Sequence, residues 1–534
     1  MKTRWTMCLG MALLLAAPSV QAGPQDNRDA LALAAKIDQL IAARWQKEGI
    51  KPAAQADDAE FMRRAYLDLA GRIPRVSEAR AFLEDTRSDK RERLVEELLE
   101  SPQYVNHMTN TFRALMLPSS NNNRFLDPNF STWLSRQFRD NVGYDEMVRE
   151  LLTAPVVFNG RNPRAVNQPG AGSVLAFYQA NELKPENLAA TTSRLFLGIK
   201  LECAQCHDHP FASYTRKQFW ELAAFYAGIE SRGQNGFYQA TGDKDNVHEI
   251  KISGTDKLVQ ARYLDGSEPK FQTDTPVRET LAGWITAKEN PYFARATANR
   301  LWAHFFGIGI IEPLEEPSDD NPPSHPELLD EMAKQLAAHN FDLKFLMRAI
   351  VNSKTYQLSS AIDGEAADER VFQRMALKGL TPDQLCDSLA RATGFRARGQ
   401  PNQRFNGVIQ LGTARGEFLN KFASQDKRTE FQTSILQALT LMNAKFINDA
   451  TDSKSVDQSL NERMAAVWDA PFLDTPAKKI EALYLSTLSR KPRSNELDRL
   501  VKYVESGGPK KDPKTALGDV FWAILNSPEF FFNH

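Results

Sequence analysis

Apolar residues recur at three- and four-residue intervals through most of this chain, which lines them up on single helix faces and leaves little room for an extended sheet. The pattern runs over 31–45, 59–69, 77–83, 90–99 and 185–197, and again over 326–338, 343–352, 381–393, 435–441, 480–488 and 516–526. Starts and stops are written beside it. Ser77-Glu78 follows Arg72-Ile73-Pro74, and Ser101-Pro102 ends the helix that closes at Glu100. The expected fold is mainly α. Between 236 and 274 the period changes, because 248–252 and 258–264 alternate and Asp265-Gly266 marks a turn. That segment reads as a short β-containing linker between two helical halves, while 159–172 and 394–412 read as loops.

One internal echo adds a constraint. Tyr66-Leu67-Asp68-Leu69-Ala70-Gly71-Arg72-Ile73-Pro74-Arg75-Val76-Ser77-Glu78 aligns in register with Tyr484-Leu485-Ser486-Thr487-Leu488-Ser489-Arg490-Lys491-Pro492-Arg493-Ser494-Asn495-Glu496. Each stretch leads to an amphipathic helix and then to a second helix that ends in Ser-Pro and an aromatic, at Ser101-Pro102-Gln103-Tyr104 and Ser527-Pro528-Glu529-Phe530. A duplicated helical module near each end of the chain is expected. Its arginines are expected to bridge helix ends rather than hold a ligand, since cations favour helix C-termini.

The chemistry-bearing motif is Cys203-Ala204-Gln205-Cys206-His207, a C-x-x-C-H run. Two thiols at that spacing suit covalent attachment of haem c, with the adjacent imidazole on the iron. Phe211, Phe219 and Trp220 are candidates to pack the macrocycle, and His304, His325, Met332 or Met442 to supply the second axial ligand, with His325 preferred because a turn before a helix exposes its ring. Two other readings stay open. Cys203, Cys206, His207 and His209 are a ligand set for zinc or another single metal ion, with Asp208 orienting a histidine, although closure from one short loop is awkward. A Cys203–Cys206 disulfide is the third reading, and the helical context upstream argues against a redox fold of that kind.

The N-terminus reads as an export signal. Lys2 and Arg4 precede an apolar run over 7–17 too short to anchor in a bilayer, and small residues at Val20 and Ala22 suit cleavage after Ala22. A periplasmic or secreted location follows, which fits haem attachment outside the cytoplasm. Loss of Cys8 with the signal leaves Cys203, Cys206 and Cys386, too few for a disulfide framework, and Cys386 reads as a lone helix cysteine. A net charge of −1 over 534 residues gives no reason to expect nucleic acid or an anionic membrane as partner, and no later apolar run suggests a membrane anchor. The sequence has no Gly-x-Ser-x-Gly, no His-Glu-x-x-His and no phosphate loop, and it leaves open whether the chain is an enzyme.

Two longer sets of motifs carry a family resemblance. Cys203 through Asp208-His209-Pro210-Phe211, with Tyr66-Leu67-Asp68-Leu69-Ala70-Gly71-Arg72-Ile73-Pro74 upstream and Phe219-Trp220-Glu221-Leu222-Ala223-Ala224-Phe225 downstream, resembles the cytochrome-like domain PSCyt of exported planctomycete-type proteins. Asn299-Arg300-Leu301-Trp302-Ala303-His304-Phe305-Phe306-Gly307, Pro322-Pro323-Ser324-His325-Pro326 and Leu525-Asn526-Ser527-Pro528-Glu529-Phe530 resemble its companion, the PSD domain. Both are domains of unknown function. The resemblance implies a signal peptide over 1–22, a PSCyt domain over 30–232, a β-containing linker over 233–274 and a PSD domain over 275–534. The function expected is an exported c-type haem protein for electron transfer or haem-based redox chemistry, working with a redox or exported partner protein. The alternative is a zinc-stabilised exported scaffold or binding protein that assists turnover of extracellular polymers.

Overall fold

The computed structural model describes residues 24–117, 127–156, 174–210, 212–234, 237–244, 246–272, 275–318, 320–362, 368–394, 415, 418–419, 445–452 and 462–534. The fold is mainly α, with three two-stranded antiparallel pairs among the described residues. Helices form where the apolar spacing asks for them. Lys90–Leu99, Pro326–Ala338 and Leu343–Asn352 match the expected spans end for end. Pro185–Thr192 continues into a π-helical turn, Ser193–Leu197, before Gly198 stops it at a left-handed φ of 67°. The expected helix over 435–441, the loop over 159–172 and nearly all of the 394–412 loop lie outside the described residues, as does 1–22. The β segment consists of the hairpins Ile229–Gln234 with Phe237–Asp243 and Glu249–Lys251 with Leu258–Gln260. No described helix is long and apolar enough to cross a membrane.

The echo is repeated in three dimensions. Arg72 donates through Nη1 and Nη2 to the Glu78 carboxylate at 2.9 and 3.0 Å, and Arg490 does the same to Glu496 at 2.8 and 3.0 Å. Each arginine also donates to the next carbonyl, Ile73 or Lys491, and lies 5.2 Å from the ring of Tyr66 or Tyr484. Each glutamate caps its own helix by accepting from the backbone N–H of Arg75 or Arg493. The left-handed turn before the arginine is kept too, at Gly71 (φ 67°) and Ser489 (φ 62°).

Two hydrophobic cores result. The first gathers residues from Ala30 to Met375 and the second those from Leu380 to Phe530, but residues of the two copies cross over: Leu67 and Ile73 lie in the second core and Leu485, the equivalent of Leu67, in the first. Helix Asp58–Ala70 is the seam. Its Asp68, fully buried, accepts from Lys378 Nζ at 2.8 and 2.9 Å, from Tyr356 Oη at 2.9 Å and from Asn533 Nδ2 at 2.8 Å. Arg63, also fully buried, donates to the carbonyls of Thr487 and Phe530 at 2.9 Å each, and Arg64 to that of Tyr356 at 2.5 Å. Charges so buried are tolerated because each side chain has several partners, although Arg63 Nε has none. The short pair Lys378–Gly379 with Phe532–Asn533 closes the seam.

Candidate functional site

The cysteine loop is set by what precedes and follows it. Gly198 permits close approach to helix Phe293–Phe306, since a Cβ there would stand 2.9 Å from Ala296 Cβ. Lys200 N–H then donates to the Glu315 carbonyl at 2.7 Å, and Leu201 and Ala204 are buried anchors. Glu202–Gln205 forms one 3-10 turn. Cys203 lies within that turn and Cys206 follows it as the C-cap. Both are free thiols and exposed, and His207 is exposed beside them. The loop is pinned from below, as Trp220 Nε1 donates to the Gln205 carbonyl at 3.1 Å and Arg216 N–H to Asp208 Oδ1 at 2.8 Å.

His207 Nδ1 lies 2.7 Å from the Asp208 carbonyl oxygen. A carbonyl only accepts, so Nδ1 carries a proton, and in the neutral ring Nε2 then offers its lone pair, the arrangement in which a histidine ligates a metal through Nε2. This is the observation by which the residues fit a haem iron. Asp208 acts here through its backbone carbonyl, while its carboxylate caps the next helix, Arg216–Ala223. His209 is half-buried, with its N–H on the Tyr214 carbonyl. Among the described residues no three of His, Cys, Asp and Glu converge as a metal site.

The remaining expectations fall elsewhere in the fold. Phe219 and Trp220 are buried in the first core and serve it rather than a ligand; Phe211 and Met442 lie outside the described residues. His325 is buried, not exposed: the chain folds its ring inward against Phe372, with Ser324 Oγ 3.1 Å from Nδ1, and burial pushes its pKa down to about 4 with Arg44 adding to the effect. His304 Nε2 meets the Asp68 carbonyl at 3.0 Å, inside the seam, and Met332 is core. Cys386 is a half-buried helix cysteine whose thiol burial raises to about 11.

A second feature was invisible to motif reading. A cavity of about 550 Å3 opens where Gly71-Arg72 and helix Pro102–Met116 meet helix Pro382–Thr393. Its walls are mixed, with Gln103, Asn106, His107, Arg391 and Arg463 among the polar residues and Ala70, Ala390 and Ala466 among the apolar ones. Gly71 is required there, because a Cβ would sit 2.5 Å from His107 Nδ1. Residues this far apart in sequence carry no common spacing. One signal was present: the first copy of the repeat has Gln103 where the second has Glu529.

Comparison with curated proteins and with solved structures finds no match to the chain. The model of PSCyt2, a protein of unknown function (DUF1549), matches residues 36–231, and that of PSD1, a protein of unknown function (DUF1553), matches residues 277–410. With the loop in the first matched region and His304 and His325 in the second, the chain belongs to the family of proteins in which a PSCyt2 domain is followed by a PSD1 domain.

Proposed function

We propose that the protein is an exported c-type haem protein that performs electron transfer or haem-based redox chemistry in the periplasm. The observation that carries this reading is the surface of the loop: two exposed thiols, one in a 3-10 turn and one capping it, beside an imidazole whose Nδ1 is already bonded and whose Nε2 is not. Cys203 and Cys206 would each add S–H across a vinyl group, giving two thioethers, and His207 Nε2 would take the proximal position. Bound there, haem supplies one-electron redox chemistry. Trp220 and Arg216 hold the loop backbone in place, which limits how far the three donors can drift apart. His304, His325 and Met332 are packed among residues outside the loop, so His207 is the histidine that would hold the iron.

The test is absorbance. The chain expressed in a host with cytochrome c maturation and recovered from the periplasm is expected to show a Soret band and to keep its haem after denaturation. Cys203→Ser with Cys206→Ser is expected to abolish both. A colourless protein holding stoichiometric zinc that the same double variant loses overturns the haem reading in favour of the metal-stabilised scaffold.

A further inference from the structure

The two copies of the repeat differ at one edge of one side chain. At Arg490, Nε and Nη2 donate to the Glu529 carboxylate at 2.5 and 2.8 Å, while Nη1 and Nη2 hold Glu496. That arginine is neutralised on two edges by two carboxylates. Arg72 keeps only the second of these pairs, with Glu78. Gln103 stands where Glu529 would be, and Arg72 Nε is buried with no hydrogen-bond partner although the residue is only 7% exposed. A buried donor left unmade is costly and asks for an acceptor.

Arg72 lines the cavity, and other cations line it as well. Arg391 lines it, its Nε buried without a partner, and burial together with Arg72 and Arg75 lowers the pKa of its guanidinium. Arg463 lines it too, with its Nε and Nη2 donating to the carbonyls of Ala392 and Arg391. The two carboxylates in the wall, Asp383 and Asp387, are both held by Arg415. The volume is within the range of small-molecule sites, roughly 300–1,000 Å3.

We propose that this cavity binds a small hydrophilic molecule through a carboxylate, which takes on Arg72 the place that Glu529 takes on Arg490. Arg391 is the second cation for it, and the side-chain amides of Gln103, Asn106 and Asn110 suit hydroxyl groups on the rest of the molecule. A carboxylate is favoured over a tetrahedral oxyanion because the vacant edge matches a planar, two-oxygen acceptor already seen at the sister position.

The experiment is calorimetric titration of the full mature chain with glucuronate, with inorganic phosphate and sulfate as competing probes. Saturable binding of one glucuronate per chain is expected. Gln103→Glu supplies the missing carboxylate from within and is expected to fold, to gain thermal stability and to weaken glucuronate by at least about tenfold; Arg391→Ala is expected to weaken it similarly. No binding by wild type, equal binding by Gln103→Glu, or binding of phosphate or sulfate but not glucuronate would overturn the proposal.

Discussion

Arg72 and Arg490 occupy equivalent corners of the same repeated motif, with the same glutamate, the same carbonyl and the same tyrosine ring around them. At Arg490 the guanidinium is matched by two carboxylates, and the corner is a structural rivet between helices Pro476–Thr487, Ser494–Glu505 and Pro528–Phe531. Around Arg72 one carboxylate has become an amide, and a cavity lined by two more arginines opens beside it. The difference shows how a duplicated element diverges: the fold needs one ion pair per copy, and the second carboxylate is free to change. The copies differ in a second way. Asp68, at the seam, corresponds to Ser486, which only returns a bond to the Leu483 carbonyl.

That second contrast gives the largest expected effect. Asp68→Ser, which writes the second copy's residue into the first, leaves the buried Lys378 ammonium with backbone carbonyls but no countercharge, and it is expected to cost about 3–5 kcal/mol, read from the midpoint of chemical denaturation. Ser486→Ala should change that midpoint far less. Next come the corner arginines. Arg490→Ala leaves Glu496 and Glu529 facing each other and should cost about 2–3 kcal/mol, against about 1–2 kcal/mol for Arg72→Ala, where only Glu78 loses its partner. Equal losses would break the comparison.

Acid titration sharpens it. Hydrogen bonding from Arg490 holds the Glu496 carboxyl near a pKa of about 2, below its ordinary 4.5. A carboxylate depressed in the folded state stabilises fully above the unfolded value and loses that contribution as pH falls through the folded one. Stability from this corner should therefore decline between about pH 4.5 and pH 2, and Glu496→Gln should flatten thermal melts across that window. The smallest effect is at the caps. Ser101 accepts the Tyr104 N–H at 3.2 Å, whereas Ser527 makes no such side-chain bond. Ser101→Ala is expected to cost about 1 kcal/mol and Ser527→Ala about half that, measured as shifts in melting temperature.

Much of this was legible in the sequence because it is local. Helix spans follow from apolar spacing, and Ser101, Thr381 and Asp342 cap helices as their residue types suggest. The repeat could be aligned by eye, and its arginines do bridge helix ends. What local pattern could not convey is which side chains turn inward. His325 looked exposed because it precedes Pro326, yet Phe372 and the arginines around it are brought there by distant segments. Trp220 looked like a wall for a ligand and is instead a strut under the cysteine loop. The charges at Arg63, Arg64 and Asp68 sit in a helix whose opposite faces are claimed by both cores, so no polar stripe marks it. The cavity needs four separated segments at once, and only the Gln103–Glu529 mismatch hinted at it.

The clasp at Asp68 has a consequence for the order of assembly. Its carboxylate and the Asn533 amide that grips it are separated by 465 positions. Contacts so remote must wait until chain-closure entropy has been offset by nearer ones, so they form late. Until then a charged group waits inside a half-built interior, open to water and reversible. The docking of Phe532–Asn533 on Lys378–Gly379 is thus expected to act as a latch, closing after the nearer contacts have formed.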